Sequence, residues 1–290
     1  MNDLLAALLD PWQLPFMRRA FLAAMVAGIV CGVVGTYVVL RGMAFIGDAI
    51  SHAVFPGVAA AYALHVNLAL GGAVAGVATA LTVAVVSQNR RLKEDTLIGV
   101  FFAFAFGLGI VLVSTQRSYV GDLSSFLFGQ LLAVSDTDLV IVVALGAVLV
   151  AAALLLRKEL VTVILDRETA TASGLPTFWL DVGLYLMVTI AIVMSLQAVG
   201  NILVLALLIT PAATARLITN QVKMMMLLAA VIGAGGAVIG LYLSYSLNLA
   251  AGGLIVIVLT AVFLIAYGAS PKHGLIATLR RSPPHARTIK

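Results

Sequence analysis

The chain has 290 residues, 62% of them hydrophobic and 10% charged, with a formal net charge of +5 and a mean hydropathy of +1.15. Soluble domains carry roughly 25% charged residues, and here the apolar residues fall in blocks of about twenty, so the composition excludes an ordinary soluble domain and predicts an all-α, polytopic membrane protein. The basic balance does not argue for a nucleic-acid partner, because charge asymmetry between loops explains it, and the single cysteine, Cys31, supports no disulfide, CxxC pair or zinc–thiolate cluster.

Taken in order, residues 1–17 read as a short extracytoplasmic or interfacial leader. Pro11 and Pro15 break it, and Trp12 suits the headgroup level. It lacks the basic start of a secretory signal, so no cleaved peptide is expected. The single transmembrane domain is read as 18–269. Its first span runs from Arg18 to about Leu40, with Gly28 and Gly32 at the spacing of closely packed helices. A second apolar segment follows Arg41-Gly42 and reaches about Leu64, with Pro56 inside it. Further spans are predicted at about 68–86, 96–114, 137–156, 178–197, 201–218, 224–246 and 251–268, giving eight to nine in all. Thr210-Pro211 marks a kink in the seventh.

Three connections stand out. Residues 87–95 form a charged loop, residues 115–136 a longer mixed connection, and residues 157–176 a polar stretch. In the last, Asp166 near the start and Gly174-Leu175-Pro176 at the end predict a short capped helix outside the bilayer. Twenty residues exceed what a link between adjacent spans needs. The stretch is either an ordinary polar loop or, as we favour, a helix presented to a cytoplasmic partner. The tail, 270–290, is basic and contains prolines. Placing the tail, the 87–95 loop, the 157–176 stretch, the 216–223 link and Arg41 on one side leaves only Arg18, Arg19 and Arg117 on the other. Positive charge marks the cytoplasmic side, so the carboxyl terminus is expected there.

Within this greasy chain, Asp48 and His52 stand four residues apart. On a helix they share a face, and an oxygen and a nitrogen donor on one face make half a site for a divalent transition metal. A central Asp costs about 3 kcal/mol to insert in lipid, so such a residue has a role by default. The competing reading is a structural hydrogen bond that satisfies the pair alone. Two copies across a two-fold axis would supply two Asp and two His, which suits zinc in a tetrahedron or manganese with added water. Lack of thiolate argues against copper(I). Gly47 and Gly57 would let helices approach, and Ser51 lies beside the pair.

Other features are read as structural. His65 ends a helix, His273 and His285 stand alone in the tail, and Met224 to Met226 pack at the start of a span. No Walker A loop, nucleophile elbow or H-E-x-x-H helix is present, so the chain is not read as an enzyme and any ATP chemistry must belong to another subunit.

The run from Leu40 through Gly42, Gly47, Asp48, Ser51 and His52 to Pro56-Gly57 resembles the signature of the permease subunits of manganese/zinc ABC importers. The stretches Phe128 to Val134, Asp136-Thr137-Asp138, Val199 to Val204 and Leu208 to Ala215 are similar to that family too, and the likeness covers about 18–270. It implies a permease fold similar to cobalamin- and siderophore-type ABC permeases. It also implies a homodimer in the bacterial cell membrane, two cytoplasmic ABC ATPase subunits that bind ATP, and an extracytoplasmic metal-binding protein. Carried onto this chain, it makes Asp48 and His52 the pathway ligands and the stretch holding Asp166, Glu168, Ala170 and Gly174 the coupling helix to the ATPase.

On this reading Mn2+ or Zn2+ is transported substrate and no cofactor is held permanently. Manganese is favoured because the signature run looks closer to manganese-type members. The backbone at Pro56, Thr210 and Pro211 would break and line the path. The alternatives are a secondary metal transporter working alone, and an ABC permease for a metal chelate or siderophore.

Overall fold

The computed structural model describes residues 10–88, 94–114 and 131–269. The start of the leader, the centre of the 87–95 loop, most of the 115–136 connection and the basic tail lie outside the described residues. Apart from one short 3-10 turn at Leu131–Ala133, the regular structure described is α-helical. The helices are α1 Pro15–Arg41, α2 Ile46–Ala63, α3 Leu68–Val86, α4 Glu94–Ser114, α5 Asp136–Leu155, α6 Arg157–Leu165, α7 Arg167–Ala172, α8 Thr177–Val199, α9 Asn201–Ile218, α10 Val222–Leu247 and α11 Ala251–Ala269. Each predicted span corresponds to one of these, with ends displaced by a few residues. Six are long and apolar enough to cross a membrane by the strictest reading, and two more are shorter apolar helices. The protein is a multi-pass membrane protein.

The bundle is organised around α1. It is apolar on every side, the pattern of a helix with protein all round it, and its buried residues run from Met17 to Val38. Close approach is built in by small residues. A Cβ on Gly28 would lie 2.6 Å from the backbone carbon of Gly233 in α10, and one on Gly32 would lie 2.5 Å from the carbonyl oxygen of Ala229. Without the hydrophobic effect between helices in lipid, such backbone contact is a main source of association. α8 is also largely buried, whereas α4, α5 and α11 turn most of their apolar surface outward, as lipid-facing helices do.

Side-chain pairs identify the two ends of the bundle. At one end Trp12 stacks on Phe21 with centroids 4.8 Å apart and donates to the Tyr242 hydroxyl, while Arg19 lies 3.3 Å from Asp136 at the start of α5. α5 begins there with a capping box: the Ser135 hydroxyl accepts from the Asp138 amide, and the Asp138 carboxylate accepts from the Ser135 amide. The other end, about 40 Å away along the length of α1, gathers the end of α1, the end of α3, the start of α4, the start of α8 and the short helices α6 and α7.

Candidate metal site

Arg41 ends α1, and Gly42 turns the chain with a φ of 74°, a left-handed conformation that glycine adopts without strain. The Met43 amide closes back onto the Val38 carbonyl at 3.1 Å, and Met43 itself is fully buried. This tight link delivers α2 with Asp48 in its first turn, where a carboxylate is favoured by the helix dipole. His52 follows one turn later. Its Nε2 lies 3.4 Å from Asp48 Oδ1, and the side chains are 22% and 34% exposed. The structure therefore brings the predicted pair together on an accessible face.

The imidazole is held by α4. Phe102 and Phe106 meet it edge-on, with centroids at 5.1 and 5.0 Å, and their own rings are nearly parallel at 6.0 Å. An edge-to-face arrangement is a preferred aromatic geometry and fixes ring orientation. Among the described residues no group of three His, Cys, Asp or Glu side chains gathers anywhere. The described residues of one chain thus supply two donors here, too few to enclose a cation. Ser51, considered beside the pair, is fully buried, and its hydroxyl has no hydrogen-bond partner among the described residues.

Pro56 lies on the same face, one turn beyond His52. The helix bond it cannot make is the one to the carbonyl of His52. The expected breaks are corrected here: α2 runs through Pro56 and α9 through Thr210 and Pro211 without interruption. Both prolines are buried, and neighbouring helices support them. A Cβ on Gly109 of α4 would lie 3.3 Å from the Pro56 ring, and Gly35 of α1 packs on the Leu208 backbone. In α9 the Thr214 hydroxyl donates to the Thr210 carbonyl at 2.7 Å. Gly47 brings α2 against Leu205 and Leu208 of α9, and Gly57 brings it against Gly71 of α3.

The 157–176 stretch contains the short capped helix expected at Asp166 to Gly174, as α7, and a second helix, α6, before it. Asp166 caps α7, accepting from the Thr169 amide at 3.0 Å and from its hydroxyl. These hydrogen bonds, the Thr169 hydroxyl first, hold its carboxyl below the ordinary aspartate range. Gly174 closes the helix with a φ of 78°. Its amide bonds the Thr171 carbonyl and the Leu175 amide bonds the Ala170 carbonyl, the paired pattern of a left-handed C-cap. Asp166, Glu168 and Gly174 are exposed. Ala170 is fully buried in the main core, so it seats α7 and does not face outward.

Sequence reasoning missed two features. The Phe102–Phe106 cradle is signalled only by four-residue spacing within an aromatic run. The other is a charged cluster centred on Asp181, which is 0% exposed. Arg41 Nη1 lies 2.5 Å from its Oδ1, and Arg167 of α7 donates to its Oδ2. Arg41 also grips Glu94 with two bonds, at 2.7 and 2.8 Å, and stacks over Tyr185. Gln88 bridges Arg167 and Asp181 at 2.7 and 3.4 Å. The available signal was an aspartate inside an apolar span.

The model of the ABC 3 transport family matches residues 13–269. The chain is 44% identical over 269 residues to the manganese transport system membrane protein MntC of Listeria monocytogenes, covering 93% of this chain and 96% of that one. It is 37% identical to the chelated iron transport system membrane protein YfeC of Yersinia pestis, covering 97% of both. Among solved structures, PsaBC from Streptococcus pneumoniae in complex with Fab superposes with a TM-score of 0.82 at 38% identity, covering 95% of this chain and 99% of that one. With the family's model spanning nearly the whole bundle and relatives well above 30% identity, the chain belongs to the ABC 3 transport family.

Proposed function

We propose that the chain is the membrane permease of an ATP-driven importer of manganese, with Asp48 and His52 as its contribution to a transit site between two copies. The observation that carries this is the partly exposed Asp48–His52 pair, its imidazole held by two phenylalanines. One oxygen and one nitrogen donor per chain leave the cation mostly unliganded. A second copy across a two-fold axis doubles the set, and water completes the larger shell manganese takes. Such a site binds weakly, as transit requires. The same donors accept zinc in a tetrahedron, and zinc is the next candidate. Kinship to relatives named for manganese supports the order.

On this reading the chain crosses the bacterial cell membrane eight to nine times, with the Arg41 end and the carboxyl terminus in the cytoplasm. The exposed Asp166, Glu168 and Gly174 side of α7, seated by Ala170, docks on one of two ATPase subunits. A metal-binding protein delivers the ion at the opposite end. ATP turnover moves the helices between outward and inward arrangements, with Pro56, Thr210 and Pro211 as deformable points beside the path. The test is elemental analysis of a deletion strain under manganese and zinc limitation. Loss of cell manganese, restored by the wild-type gene but not by Asp48→Ala or His52→Ala, is expected. Normal manganese with depleted zinc or iron would reassign the cargo. Manganese entry into liposomes carrying the chain without any ATPase would favour a secondary transporter instead.

A further inference from the structure

We propose that the buried carboxylate of Asp181 is the junction through which movement of α7 reaches the ligand pair; this rests on the importer reading above. Each oxygen of Asp181 is held by a different arginine. Arg167 comes from α7, and Arg41 comes from the end of α1. Arg41 in turn grips Glu94, the first residue of α4. The cluster therefore holds two arginines and two carboxylates, balanced in charge, with Gln88 at the end of α3 bridging two of its members.

The two arms leaving Arg41 both end at the site. Along the chain, the tight turn at Gly42 and the buried Met43 join Arg41 directly to α2, whose first turn carries Asp48. Through Glu94, α4 runs as one helix to Phe102 and Phe106, about 12 and 18 Å further on at 1.5 Å per residue. Those two rings hold His52. A displacement of α7 that drags Arg167 must either pull Asp181 and Arg41 with it or strand a charge in a dry place. Stranding is costly because a buried ion without its partner has no compensating solvation. The cluster thus favours concerted movement of α7 with both elements that define the site. Arg167 and Asp181 are positioning residues, since neither touches the pair.

The test uses the assembled transporter in liposomes, with manganese(II) chloride and ATP, and reads manganese moved per ATP hydrolysed. Arg167→Gln cuts only the α7 arm at a partly exposed side chain, and Glu94→Gln weakens only the α4 arm. Each is expected to assemble, to keep ATP hydrolysis within about twofold, and to lower the ratio at least tenfold. Arg167→Lys, which keeps the charge, recovers part of the ratio. Lys158→Gln on the neighbouring α6 matches wild type. A ratio within twofold of wild type in Arg167→Gln and Glu94→Gln overturns the junction, as does parallel loss of uptake and hydrolysis with the amount of complex. A wild-type complex that moves no manganese overturns instead the importer reading, and the junction with it.

Discussion

Substitution of Gly57 by alanine tests whether the seating of α2 on α3 sets the site. Gly57 lies one residue beyond Pro56, and an added methyl would sit against the Gly71 carbonyl, 2.5 Å from the Ala75 Cβ and 3.0 Å from the Gly71 carbonyl carbon. Two of these atoms are backbone, so side-chain rotation cannot relieve the clash. The helices must separate. Overpacking of this kind costs roughly 1–3 kcal/mol, against a gain of about 1 kcal/mol from helix propensity. Because backbone atoms must move, the upper end of that range applies, and the net loss of about 2 kcal/mol lowers Tm by roughly 4–8 °C in a chain of this size. Thermal unfolding of the purified protein in detergent, followed by size-exclusion of the surviving fraction, measures it. Gly253→Ala in α11, where a Cβ meets nothing within 4 Å, is the control and should be neutral or slightly stabilising. Because α2 carries Asp48 and His52, manganese uptake should fall beyond what the lost protein explains. Equal Tm values for the two variants, with normal uptake, would refute the reasoning.

Asp48→Ala and His52→Ala should each abolish manganese uptake while leaving the amount of ATPase-associated complex unchanged; loss of the complex itself would indicate a structural pair. Phe102→Ala or Phe106→Ala frees one edge of the imidazole, and at about 0.5–1.5 kcal/mol per aromatic contact should weaken manganese binding by up to roughly tenfold in a direct titration. Asp181→Ala leaves Glu94 as the one carboxylate of the cluster for two arginines and should cost up to about 3 kcal/mol of stability, measured as a fall in Tm. The depressed carboxyl of Asp166 gives a pH dependence of known sign. The unfolded chain binds the proton more readily, so the contribution to α7 is present above the ordinary aspartate pKa and lost as pH falls through the lower folded value. Amide exchange at Thr169 should accelerate in that acid window, and Asp166→Asn should remove the dependence.

Sequence reveals those parts of this protein that depend on local rules. The spans were legible because a bilayer imposes one length and one composition, and the helices from Pro15–Arg41 to Ala251–Ala269 follow the apolar blocks within a few residues. The Asp48–His52 pair was legible because helical spacing alone places it on one face. Gly28 and Gly32 announced close packing, and the partner they meet, α10, was not readable because it lies 200 residues away. The Asp181 cluster was hidden because its members come from five helix ends, with Arg41 lying 140 residues from Asp181 in the chain. A single aspartate four residues into α8 carries no hint of two arginines from α1 and α7. The prolines misled for a related reason. Pro56 and Pro211 do weaken a helix locally, yet the packed neighbours α4, α1 and α10 keep both helices continuous. In the polar stretch at 157–176 the short helix capped by Asp166 was legible from its end signals, whereas α6 before it was not. Asp166 is extended backbone, so it ends α6 and caps α7 at the same residue.

Diffraction from the manganese-soaked complex, recorded at the manganese absorption edge, addresses the central claim most directly. The account predicts one anomalous peak per pair of chains, on the axis relating them and within bonding reach of Asp48 and His52 from both, absent in His52→Ala. Peaks confined to single chains, or two Asp48–His52 pairs turned far from a shared axis, would contradict it.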